Sequence, residues 1–117
     1  MIQNMEICQD SNPYFLTIPI NPQGIEDVKF MREGTKNTIE YVLSPDEFRR
    51  LWDANVFAAI NKEFNLLIDS YESETIPLNA CSGCLNIMKQ AGFDDNSVFA
   101  TALKQALNYG TFVECDF

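Results

Sequence analysis

The chain has 117 residues, enough for one domain with its own core and too few for two. A hydrophobic share of 46%, with nine Phe and one Trp, excludes a disordered tail. Seventeen acids against eight bases leave a formal charge of −9, and histidine is absent. The charge argues against nucleic acid as a direct partner, because a phosphate-binding surface needs clustered Lys and Arg. Without histidine there is no Ser-His or Cys-His nucleophilic pair and no His-ligated zinc. Composition thus leans away from a hydrolase, and a basic macromolecule is the natural complement of the charge.

The first residues, Met1-Ile2-Gln3-Asn4-Met5-Glu6, carry neither a basic region nor the apolar run of a signal peptide. No stretch approaches the ~18 apolar residues of a spanning helix. The expectation is a cytoplasmic protein without a membrane partner, whose four cysteines (Cys8, Cys81, Cys84, Cys115) are reduced thiols and not a disulfide framework.

Pro13 opens Tyr14-Phe15-Leu16-Thr17-Ile18, whose aromatic and β-branched content predicts a strand, ended by Pro19, Pro22 and Gly24. Val28 to Arg32 and Asn37 to Leu43 flank Glu33-Gly34-Thr35-Lys36, which predicts a hairpin. At Ser44-Pro45-Asp46-Glu47 a capping serine precedes proline at the first helical position. The helix it opens is predicted to run to about Asn61, with Phe48, Leu51, Trp52, Val56 and Ala59 on its apolar stripe. In residues 63 to 71, Phe64, Leu66 and Ile68 alternate, which favours a strand over a continued helix. Pro77 restarts helical periodicity through Leu78, Cys81, Leu85 and Met88, and Gly92 stands where a left-handed cap belongs. Asp94-Asp95-Asn96-Ser97 offers capping oxygens to a third helix through Val98, Ala102, Leu103, Ala106 and Leu107, closed by Gly110. Thr111 to Phe117 alternates and predicts a terminal strand paired with the first hairpin. The sum is a single α+β domain over residues 1–117, an antiparallel sheet with about three packed helices.

Three features invite chemistry. Cys81-Ser82-Gly83-Cys84 could chelate a metal or work as a redox dithiol, but the pair falls inside a helix, and Cys8 and Cys115 are single and distant. The plainer expectation is that Cys81 packs as a small hydrophobe with Cys84 beside it, and that neither binds metal. Asp94-Asp95-Asn96-Ser97 lacks the spacing and closing Glu of a calcium loop, so helix capping explains it. The five scattered glycines form no phosphate or dinucleotide loop, so no cofactor is expected.

The third feature is Asp69-Ser70-Tyr71-Glu72-Ser73-Glu74, three carboxylates and a tyrosine with no base before Lys89. Residues 1–62 hold nine acids and six bases, and residues 63–117 eight acids and two bases, so the acidic bias lies in the second half. Such a run is a solvated loop, a binding patch or the carboxylate cluster of a Mg²⁺-dependent nuclease, the last without a lysine near in sequence to support it; a patch would be made by Asp69, Tyr71, Glu72 and Glu74 with Tyr71 as the anchor.

With its short β-rich start, its Ser-Pro-Asp-Glu-capped helix and Leu67-Ile68-Asp69-Ser70-Tyr71-Glu72-Ser73-Glu74 ahead of two helices, the chain resembles the small immunity proteins of bacterial polymorphic-toxin and contact-dependent growth-inhibition systems. The resemblance implies an inhibitor that captures a cognate toxin domain, often a basic nuclease. A folded acidic domain suits electrostatically steered capture of a basic partner. The competing expectation is a small metal-binding or thiol redox protein working through Cys81 and Cys84.

Overall fold

The computed structural model describes residues 14–32, 34–69 and 73–117. Along the chain come β1 (Tyr14–Pro19), α1 (Pro22–Lys29), β2 (Thr38–Leu43), α2 (Pro45–Asp53), α3 (Val56–Phe64), β3 (Ser73–Ile76), α4 (Leu78–Gln90), α5 (Val98–Tyr109) and β4 (Val113–Asp116). The strands make one antiparallel sheet in the order β2-β1-β4-β3, and the architecture is α+β as expected, with five helices among the described residues in place of about three.

The amino-terminal hairpin differs from expectation. Residues 22–29, into which the predicted strand at Val28 reaches, form α1, and β2 pairs instead with β1 from Tyr14↔Leu43 to Pro19↔Thr38. The cause is a local helix signal: the Asn21 side chain accepts from Gly24 N at 2.8 Å and Pro22 stands at the first helical position. Asn37 then ties α1 to the sheet, its carbonyl accepting from Ile20 N and its side-chain amide donating to Asp27. Asp27 is buried at 3% exposure, and the Gln23 amide, with the Thr35 hydroxyl, Arg32 and Asn37, holds its carboxyl down to about 2 against the opposing effect of burial.

Ser44 caps α2 as expected, accepting from Glu47 N at 3.0 Å. The single helix expected to reach Asn61 is two helices, because Asn55 adopts a left-handed conformation (φ 63°) and breaks the run after Ala54. Trp52, placed on the core stripe by periodicity, is 48% exposed beside this break.

No strand forms over residues 63–69: α3 runs to Phe64, and Asn65 (φ 58°) ends it. The backbone of Ile68 is satisfied by a side chain instead of a neighbouring strand. Asn61 Oδ1 accepts from Ile68 N at 2.8 Å and Asn61 Nδ2 donates to Ile68 O at 3.0 Å. The strand in this region starts later, as β3 on the outer edge of β4, so the terminal strand pairs with β1 and β3 both.

Alternation sets the two faces of the sheet. Leu16, Ile18, Leu43, Ile76, Val113 and Cys115 turn inward and are fully buried or nearly so. Helices α2 to α5 close over them, each packed on the next, around Phe57, Phe99, Ile60 and Leu103. Tyr14 stacks on Phe48 at 4.0 Å, and Phe48 and Phe57 both meet Phe117. On α4 the buried positions are Ala80, Cys81, Cys84 and Met88, whereas Leu78 is exposed, so the inner stripe is rotated from the expected one. Gly83 is the point of close approach, because a Cβ there would run into the Phe64 ring of α3.

Candidate functional site

The outward-facing residues of the sheet form two rows fixed by register. One row is Glu40, Thr17, Glu114 and Thr75, reading from β2 to β3, and the next is Val42, Phe15, Asp116 and Ser73. These residues are half-buried or exposed, in contrast to the closed inner face. Two carboxylates are aimed by cross-strand hydroxyls: Ser73 Oγ donates to Asp116 Oδ1 at 3.0 Å, and the Thr75 hydroxyl donates to Glu114 Oε1. Among the described residues the ion pairs are Arg32–Asp27 and Arg50–Asp46, so Glu40, Glu114 and Asp116 have no ion-pair partner there.

The end of α1 and the turn after it wall in one side of this face. Val28, Met31 and Arg32 close a cavity of about 220 Å³ whose floor includes Thr17, Glu40, Glu114 and Asp116. That is below the ~300–1,000 Å³ of an ordinary small-molecule site. Met31 is 86% exposed and Phe30 56%, so the wall carries apolar surface next to the acids. Arg32, the cation that lines the cavity, is held back from them: it bonds Asp27 Oδ1 at 3.1 Å and lies 5.3 Å over the Phe30 ring.

The acidic segment singled out in the sequence fares unevenly. Tyr71 and Glu72 lie outside the described residues. Asp69 is half-buried and engaged with a neighbour. Glu74 sits on β3 as part of the scaffold, its carboxylate accepting from Leu67 N at 2.7 Å and from its neighbour Thr75 N at 3.0 Å. The face formed by Glu40, Glu114 and Asp116 escaped the sequence because these acids come from three separated stretches; the alternation of β2 and β4 was the signal that could have found it.

The described cysteines are buried thiols. Cys81, Cys84 and Cys115 are free and buried, while Cys8 lies outside the described residues. Burial pushes the Cys81 thiol up to about 11 and, together with the nearby Cys81, that of Cys84 up to about 12. Burial and the Glu114 charge raise Cys115 well above the usual thiol range. A nucleophilic cysteine needs the opposite shift. Cys81 Sγ instead donates to Pro77 O at 3.4 Å, at the N-cap of its own helix. Among the described residues no group of three or more His, Cys, Asp or Glu side chains is arranged to hold a metal, and no helix is long and apolar enough to cross a membrane.

Comparison of the chain with protein-family models, with curated proteins and with solved structures gave no match.

Proposed function

We propose that the chain is a binding protein and not an enzyme: an immunity-type inhibitor that captures a basic toxin domain, such as a nuclease, in the bacterial cytoplasm. One observation carries this reading. Among the described residues Glu40, Glu114 and Asp116, on the open face of the sheet, are in no ion pair, and they stand beside exposed apolar side chains. Uncompensated charge of one sign steers an oppositely charged partner and speeds its encounter. Apolar side chains at the same place supply contact area once the partner has docked.

The raised thiols of Cys81 and Cys84 give no support to the redox alternative. The test is survival of bacteria that express the toxin domain encoded beside this chain, with and without the chain. Survival that depends on the chain supports the reading, and equal killing in both cases overturns it.

A further inference from the structure

We infer that the docking surface is the open face of the sheet, and that its occupant is an arginine side chain of the basic partner, inserted over Thr17 between Glu40 and Glu114. This deepens the proposed function and rests on it. The register places Glu40 and Glu114 opposite the same residue, Thr17, one strand to either side. Their backbones therefore stand about two strand spacings apart, ~10 Å. That leaves a gap over the short threonine side chain which a planar cation can enter with a carboxylate on each flank. Asp116 adds a third acceptor in the adjacent row, next to Phe15.

The shape of the cavity suits the stem as well as the head of arginine. Its volume of about 220 Å³ is small for a metabolite, and Val28 and Met31 line one side with apolar surface against which methylenes can lie. Arginine fits better than lysine, because its fork of five donors can serve separated carboxylates at once. The hydroxyls of Ser73 and Thr75 orient Asp116 and Glu114 in advance, which lowers the ordering cost of binding. Arg32 could have filled the gap from within, but Asp27 and Phe30 hold it on the wall. The charge of the face is thus left to be complemented by a cation from another molecule.

The probe is a synthetic oligo-arginine peptide, titrated into isotopically labelled protein and followed by amide NMR shifts at low and physiological salt. The expected shifts cluster at Thr17, Glu40, Glu114 and Asp116 and fade with salt. Glu40→Gln with Glu114→Gln should weaken binding by about tenfold or more, as expected for close charge pairs across an interface. Asp94→Asn with Asp95→Asn removes the same charge from an exposed loop and should change affinity by no more than about twofold. Urea unfolding of each variant checks the fold. If the paired glutamines unfold the sheet, Thr17→Lys replaces them, supplying a cation within the cavity and also expected to block the peptide.

Equal weakening by both charge pairs, or shifts centred on residues 69–74, overturns the proposed face. Survival in the toxin assay separates the two levels. Protection by the parent that persists fully in the Glu40/Glu114 variant discards the face and keeps the inhibitor reading. Peptide binding at the face by a chain that protects no cell does the reverse.

Discussion

Replacing Glu47 should destabilise this fold strongly. Glu47 lies in the first turn of α2, yet its carboxylate does not serve that helix. Only 6% exposed, it accepts from Val98 N at 3.3 Å and Phe99 N at 3.0 Å, two of the amides at the start of α5 that have no partner within their own helix. The carboxylate also lies at the positive end of the α5 dipole, where an anion is favoured. Hydrogen bonds to a charged group contribute about 1.5–3 kcal/mol each. The pair would then amount to about 3–6 kcal/mol, an upper range because half-buried Val98 can recruit water once the acceptor is gone. Glu47→Ala is therefore expected to cost about 2–4 kcal/mol, a serious loss from the ~6–18 kcal/mol typical of a domain this size.

The assay is urea unfolding, where a drop of about 1–2 M in the midpoint at unchanged slope is expected. Glu47→Gln keeps one acceptor oxygen but turns an amide towards a backbone N–H, so its cost should be smaller, about 1–2 kcal/mol. Asp46→Ala is the control, since its pair with Arg50 is exposed and should contribute no more than about 0.5 kcal/mol. A Glu47→Ala protein that unfolds with the Asp46→Ala protein would refute the bridge between α2 and α5.

Ser44→Ala should cost about 1 kcal/mol by removing the acceptor for Glu47 N, and a melting curve that overlays the parent would contradict the cap. Gly24→Ala should destabilise by about 1–3 kcal/mol despite the better helix propensity of alanine. The added Cβ would meet the Asn37 carbonyl and stand 3.2 Å from Pro19 Cα, backbone on both sides that cannot rotate away, and a gain in unfolding midpoint would refute the close approach. The raised thiols predict alkaline sensitivity. Cys81 and Cys84 stay protonated in the fold to about 11 and about 12, while the unfolded chain gives up these protons near 9, so their contribution is complete below pH ~9 and lost as pH rises through that interval. Cys84→Ala should flatten the fall of stability above pH ~9, and an identical alkaline limb in parent and variant would count against the burial of that thiol.

Where local chemistry dominates, the sequence was sufficient. Ser44-Pro45 starts a helix because its hydroxyl and ring act within one turn, Ser97 does the same for α5, and Gly110 (φ 68°) closes α5 where a Cβ would be strained. The alternation of β1 and β4 separates Leu16, Ile18, Val113 and Cys115 from their outward neighbours with no knowledge of partners. Asn21-Pro22 carries the same start signal as Ser44-Pro45, so α1 is legible there, although Pro19, Pro22 and Gly24 together signal only the end of a strand; the nearby Asn37 carbonyl shows why glycine belongs in that first turn. Over residues 63–69 the apolar spacing suited either element, and the outcome turned on the Asn61 side chain, which satisfies the backbone of Ile68 so that no strand partner is needed. Tertiary structure alone decided the sheet order, the bond from Glu47 to an amide 52 residues away, and the meeting of Glu40, Glu114 and Asp116 on one face. Each depends on chain segments far apart in sequence, and a local pattern holds no record of which strand lies beside which.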